Sequence, residues 1–308
     1  MDRHQIMQVL AAAGARPQHR FGQNFMMDQR ALSAIVEAGQ LSSGDTVLEV
    51  GPGAGNLTSL MAARAGHILA VDIDEPLMHA AANHWRHLTN IRWLHADALA
   101  SKHKLAPEML SELRSLHATA TGSLKLIANL PYNAASPLIA ELLTLCWHEQ
   151  RRDAFQTPST RAAPRLIFER LIFTVQWEVA QRMAAPPDCA DYGSLGILMQ
   201  LLADVRIVRS IEPGAFWPPP KVRSALVEVI VQPARFGAIS NIEQLSAVLR
   251  GVFAHRRQNL VNAIRHGLKP PDMATIVSAL NAANINPVSR PATLTPGDFL
   301  RLSQIIAK

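Results

Sequence analysis

The chain has 308 residues, enough for one large domain and a small one, and its 48% apolar and 18% charged content suits a globular protein with a substantial core. No apolar run reaches the roughly 18 residues of a membrane span, the start Met1-Asp2-Arg3-His4-Gln5 lacks a secretory signal pattern, and Cys146 and Cys189 show no redox or metal spacing, so a cytoplasmic location without membrane association is expected. The net charge of +6 is uneven: residues 201–308 hold 13 Lys+Arg against 6 Asp+Glu, and the first 200 residues hold 17 against 18. A near-neutral catalytic part joined to a polyanion-binding part has this pattern, and from charge alone a generally basic surface accounts for it equally well.

From residue 28 helices and strands alternate. Asp28 is placed to cap a helix reaching about Gly39, with Leu32, Ile35 and Val36 on one face. Thr46–Val50 reads as an apolar strand, followed by the turn Gly51-Pro52-Gly53-Ala54-Gly55 and a helix from Asn56. Ile68–Ile73, Ile91–His95 and Lys125–Ala128 read as three further strands; Pro76 suits the first turn of a helix, and Ser136-Pro137 the cap of another reaching about Trp147. Such alternation predicts an α/β fold, a doubly wound parallel sheet covered on both faces. Residues 148–165, with four arginines, Pro158 and Pro164, interrupt it as a loop insertion. Leu166–Val175 then resumes the sheet, Gln176–Met183 reads as helix, and Val205–Ile211 with Ala225–Val231 as a strand pair. Past Pro233, helical periodicity over Leu245–Phe253, Gln258–His266, Met273–Ala283 and Pro296–Ile306 predicts a helical domain at 236–308 after a catalytic domain at 1–235.

Three consecutive strand ends carry chemistry. Glycines in Glu49-Val-Gly51-Pro-Gly53-Ala-Gly55 allow a sharp turn and close approach to a nucleotide-like ligand, and the third glycine comes one residue too early for a dehydrogenase turn. Asp72 ends the second strand, where a carboxylate accepts from ribose hydroxyls, and Asp97 follows the third, within reach of an adenine amino group. Either aspartate alone is more commonly a cap or turn residue, but Gly, Asp and Asp in succession at carboxyl ends of strands is the placement of an open-sheet ligand site. The fourth strand ends in Asn129-Leu130-Pro131-Tyr132. An exocyclic adenine amine is a poor nucleophile because its lone pair is delocalised into the ring. An Asn oxygen and a neighbouring carbonyl accepting from that NH2 draw the nitrogen towards tetrahedral geometry, the proline fixes the turn, and Tyr132 can stack on a base turned out of its helix. His84 and His87 share a helical face with no third ligand, so no metal is expected.

Taken in order, these motifs closely resemble the small-subunit (16S) ribosomal RNA adenine-N6,N6-dimethyltransferase family. The signatures are Arg20-Phe21-Gly22-Gln23-Asn24-Phe25-Met26-Met27-Asp28, Val47-Leu48-Glu49-Val50-Gly51-Pro52-Gly53, Asn129-Leu130-Pro131-Tyr132-Asn133, Gln176-Trp177-Glu178-Val179, Tyr192-Gly193-Ser194-Leu195, Ala215-Phe216-Trp217 through Lys221-Val222-Arg223-Ser224-Ala225, and Phe253-Ala254-His255-Arg256-Arg257. The resemblance implies a Rossmann-like sheet and S-adenosylmethionine contacts from Asn24, Met26, Gly51, Asp72, Asp97 and Asn129. It also implies an adenine held by Asn129, Leu130 and Tyr132 with Phe216 as a second stacking face; in the basic last third, Lys221, Arg223, Arg256 and Arg257 are the expected RNA contacts. Small-subunit ribosomal RNA within a pre-30S particle is the implied partner, met as a monomer. In this chain Asp72 stands where the family usually has Glu, Met26 where it has Leu, Trp177 where it has Lys, and Arg223 where it has Asp. Large-subunit ribosomal RNA methylases share the fold but carry Ile where Leu130 stands. A non-catalytic assembly or transcription factor is the other alternative, and a nicotinamide dehydrogenase a distant third.

Overall fold

The run Thr46–Val50 (β1) is buried at all five positions, the mark of a strand covered on both faces. A computed structural model describes residues 3–14, 23–152, 163–268 and 272–306 and surrounds β1 with His67–Asp72 (β2), Ile91–His95 (β3), Leu124–Asn129 (β4), Phe168–Gln176 (β5), Ala203–Ile211 (β6) and Ser224–Val231 (β7). They form one sheet in the order β3-β2-β1-β4-β5-β7-β6. Neighbours from β3 to β5 run parallel, and β7 joins β5 antiparallel. The strand order reverses between β1 and β4, and the carboxyl ends of strands at such a switch point leave a crevice. The expected α/β sheet is therefore present, with an antiparallel strand added.

Local chemistry sets the elements that frame this crevice. Asp28 accepts from the Ala31 N–H at 2.9 Å and starts the helix Gln29–Ala38, which buries Leu32, Ile35 and Val36. Asp74 caps Glu75–His84 in the same way, with Pro76 in its first turn. Behind the crevice Leu32, Ile35, Val47, Met61, Ile68, Ile127 and Ile172 pack in one apolar cluster, each at most 2% exposed. Below, Asp45 ties the starts of β1 and β4 together: it accepts from the Lys125 ammonium, Ser42 N–H and Ser123 N–H, each at 2.8 Å. Burial alone would raise the Asp45 pKa, but these bonds outweigh it and hold the carboxyl below its usual range.

Some boundaries differ from the sequence reading. The helix expected to end near Trp147 spans Ala135–Arg151, so the first residues of the expected 148–165 insertion are helical. Residues 153–162 lie outside the described residues, as does the 20–22 portion of the N-terminal signature. Ser136 is not a cap; the helix starts after Ala134, which makes no side-chain capping bond. Helices Arg3–Ala12, Pro107–His117 and Ser194–Leu202 were not anticipated.

The chain divides into two compact units, Met1–Ala180 with Arg206–Val231, and Gln181–Val205 with Gln232–Lys308. This division differs from a single boundary at 235/236, because Gln181–Val205 groups with the C-terminal helices. Tyr192 supplies a physical reason. It is fully buried, donates to the Leu294 carbonyl at 2.9 Å, and packs edge-on against Phe253, which in turn meets Phe299. The second unit contains Ile242–Ala254, Leu260–Leu268, Met273–Ala282 and Pro296–Ile306, close to the four expected helices. Thr295 and Asp298 exchange side-chain-to-backbone bonds at the start of the last one, a reciprocal cap.

Candidate active site

The turn after β1 is shaped by glycine. Gly51 and Gly53 have φ of 74° and 57°, in the left-handed region that penalises side chains. A Cβ on Gly51 would lie 3.1 Å from Pro131 Cδ, and one on Gly53 would lie 2.9 Å from the Phe25 ring. The turn is thus pressed against both the Asn-Leu-Pro-Tyr turn and the N-terminal signature. Gly51 N–H donates to the Val71 carbonyl at 2.9 Å, and Trp85 Nε1–H donates to the Ala54 carbonyl at 2.9 Å.

Around this turn lies a pocket lined by Asn24, Met26, Gly51, Asp72, Asn129, Leu130 and Tyr132, among others. The site residues expected from four separate stretches of chain therefore meet in one place. Asp72 is 9% exposed; its oxygens accept from Asp74 N–H at 3.0 Å and Gly53 N–H at 3.3 Å, which aims it across the glycine turn. Burial raises its pKa, the two backbone bonds act against that, and the Asp74 charge adds to the rise. Asp97 is not among the lining residues: it is exposed, and its Oδ1 accepts from Leu99 N–H at 2.9 Å, a local turn bond. This bond is of the kind open to any strand-end aspartate, and it engages one of the two carboxylate oxygens.

Two buried polar residues of the lining carry no role assigned from sequence. Glu49, on β1, is 1% exposed and its Oε2 has no hydrogen-bond partner among the described residues. Burial pushes its pKa up to about 8, with the Asp72 charge adding to the rise. Asn56 donates to the Met26 carbonyl at 2.8 Å and leaves its buried Oδ1 without a partner. Glu49 lay inside a quoted motif; nothing in the sequence pattern marked Asn56.

The Asn-Leu-Pro-Tyr turn is held at both ends. Asn129 Nδ2 donates to the Asn24 carbonyl at 3.1 Å, and its Oδ1 accepts from the Thr174 hydroxyl. Tyr132 is half-buried, and its hydroxyl shares a 2.7 Å hydrogen bond with Ser224. Phe216, expected as a second stacking face, is 2% exposed and does not line the pocket. It pairs with Met26 in a two-stranded ribbon, Phe25–Met26 with Phe216–Trp217, and its ring belongs to the apolar cluster with Leu226 and Ile211. Its place in the structure is packing beneath the signature.

The expected RNA-facing residues divide between the two units. Lys221 and Arg223 are exposed in the first unit, where the Arg223 guanidinium stands 4.2 Å over the Trp177 ring. Two of the four departures from the family pattern thus occur as a contacting pair. Arg256 and Arg257 are in the second unit, where they line a cavity with Arg290, Asp188, Cys189 and Thr293. Arg256 donates to the Ala190 carbonyl at 2.8 Å.

The strand order, the glycine turn and the pocket at the switch point define a Rossmann-like α/β fold with a ligand site at its switch point. The model of the ribosomal RNA adenine dimethylase family matches residues 14–308, and the chain belongs to that family. It is 31% identical over 299 residues to the ribosomal RNA small subunit methyltransferase A of Pelotomaculum thermopropionicum, covering 97% of this chain and 94% of that one. Against the protein of the same name from Latilactobacillus sakei it is 31% identical, covering 97% and 92%. Among solved structures, a dimethyladenosine transferase from Plasmodium falciparum superposes with a TM-score of 0.68 at 23% identity, over 90% of this chain and 95% of that one. The 23S rRNA methyltransferase ErmE does so with a TM-score of 0.59 at 22% identity, over 92% and 100%; at these identities both speak for the fold.

Proposed function

We propose that this chain transfers methyl groups from S-adenosylmethionine to N6 of adjacent adenines near the 3′ end of 16S ribosomal RNA. In this reading it acts in the cytoplasm, as a monomer, on a pre-30S particle. The observation that carries the chemistry is the Asn129 side chain, pinned at both ends beside a half-buried Tyr132 at the mouth of the glycine-turn pocket. The small-subunit target is supported by the relatives at 31% identity and by Leu130 where large-subunit methylases carry Ile.

The pocket suits the cofactor on its own terms. Glu49 offers a buried oxygen without a partner, which matches a cationic amino group, and a cation there favours ionisation against the burial that opposes it. Asp72, fixed by two backbone donors, presents its remaining lone pairs to ribose hydroxyls. Gly51 and Gly53 keep the turn free of side-chain atoms where a ligand must come close. When bound, S-adenosylmethionine supplies a sulfonium methyl group that reacts directly with a nitrogen nucleophile.

The residues of the chain then act by positioning. Asn129 Oδ1 retains a lone pair to accept from the adenine NH2, and the turn through Leu130 and Pro131 offers carbonyls beside it. Tyr132 provides the face on which the extruded base stacks. The proton lost from N6 passes to solvent, since methylation raises the acidity of the nitrogen and no strong base is needed. The testing experiment is a methyl-transfer assay on 16S RNA or an undermodified small subunit, with product analysis for N6,N6-dimethyladenosine. Absence of that nucleoside would refute the reading.

A further inference from the structure

Two hydroxyl residues on the strands behind the site are fully buried, Thr174 on β5 and Ser224 on β7. A buried hydroxyl without a partner is costly, so its bonding partner shows what its position requires. Both partners belong to the Asn-Leu-Pro-Tyr turn: Thr174 bonds Asn129, and Ser224 bonds Tyr132. Their arrangement follows from the sheet register. Thr174 lies directly across the parallel ladder from Asn129. On the antiparallel side Ser224 opposes Gln176 and Leu226 opposes Thr174, which puts the two hydroxyls two residues apart on one face of adjacent strands.

This geometry decides the orientation of the Asn129 amide. The Asn24 carbonyl can only accept, so the atom facing it is Nδ2. The oxygen therefore faces Thr174, and the threonine must donate. One lone pair of Oδ1 is engaged, and the other is directed by that bond. We infer that Thr174 and Ser224 are positioning residues for methyl transfer. Thr174 sets the direction of the Asn129 acceptor, and Ser224 sets the plane of the Tyr132 ring. The inference rests on the adenine-methylating reading above and adds two residues that lie outside the pocket lining.

The test uses the full chain with Thr174→Val, Thr174→Ser, Ser224→Ala and Tyr132→Phe. Thr174→Val keeps the shape and removes the donor. Because misplacing a reacting group by ~1 Å costs about 100-fold, loosening one is expected to lower kcat about 10-fold. KM for RNA and Kd for S-adenosylmethionine should stay within about twofold, and Thr174→Ser should restore most of kcat. Ser224→Ala and Tyr132→Phe remove the same bond from opposite ends, so their effects on kcat should not add. In parallel, the Asn129 side-chain amide resonance should shift in Thr174→Val and not in Ser224→Ala. That readout stands whether or not the wild type methylates 16S RNA, whereas wild-type inactivity would count against the proposed function. Wild-type kcat in Thr174→Val, equal losses in the Val and Ser variants, or an unmoved Asn129 resonance would each overturn the inference.

Discussion

The pocket at the switch point and the arginine-lined cavity of the second unit use polar groups in opposite ways. In the pocket Asp72, Asn129 and Tyr132 are each held by bonds within the protein, so their free lone pairs and faces point in set directions. In the cavity Arg257 and Arg290 make no side-chain hydrogen bond or ion pair among the described residues, and Arg256 is steadied by one backbone carbonyl. Fixed acceptors suit a small ligand and a base whose atoms must be placed closely, while free guanidinium groups suit phosphates read by charge. The cofactor pocket and the basic cavity should therefore respond to different perturbations.

The largest separation is expected in cofactor affinity. Asp72→Asn removes a charged acceptor worth about 1.5–3 kcal/mol, a weakening of S-adenosylmethionine binding by about 10- to 150-fold in calorimetry. Asp97→Asn, outside the pocket, should leave that affinity unchanged. If the two variants weaken binding equally, the placement of Asp97 outside the site fails. Next, Tyr132→Ala should lower turnover by about 1–3 kcal/mol of base stacking while cofactor affinity holds. Normal turnover in that variant would remove the stacking role.

Replacing Arg256 and Arg257 by Gln tests the other region. RNA affinity should fall and its logarithmic salt slope should flatten by roughly one to two units, by analogy with other nucleic-acid titrations, with cofactor affinity unaltered. Parallel salt series of equal affinity would place the pair off the RNA footprint. A separate effect, on stability rather than binding, concerns Glu49, whose pKa of about 8 lies above its ordinary 4.5. Between those values the folded protein holds a proton that the unfolded chain has lost, so stability falls as pH rises through that window and levels off above it. Glu49→Gln removes the titration, so the variant should gain melting temperature relative to wild type from pH 5 to 8, by about 2–4 °C per kcal/mol. A constant offset across that range would contradict the raised pKa.

Much of this arrangement was legible because the relevant signals are local. Four apolar strands, the Asp28 cap and the glycine turn announce themselves within a few residues, and Asn129-Leu130-Pro131-Tyr132 follows its strand directly. Ser194–Leu202 escaped because its apolar residues leave little polar face to mark a helical period. Asp97 lies outside the pocket lining because a strand-end position does not say whether a carboxylate faces the crevice or its own turn, and here one oxygen closes the turn to Leu99. Phe216 sits apart from the pocket because ribbon pairing with Met26, far away in sequence, puts its ring in the core. Thr174, Ser224 and Asn56 could not be found from sequence spacing, since their bonds span 45, 92 and 30 residues.

The central claim, that the Asn129 pocket dimethylates adenine in 16S ribosomal RNA, has one direct measurement. Cells lacking this protein would be complemented with the wild type or with Asn129→Ala, and N6,N6-dimethyladenosine would be quantified by mass spectrometry near the 3′ end of 16S RNA. The account predicts adjacent dimethyladenosines with the wild type and none with the deletion or the variant. Dimethyladenosine in the deletion strain, or full modification by Asn129→Ala, would contradict it.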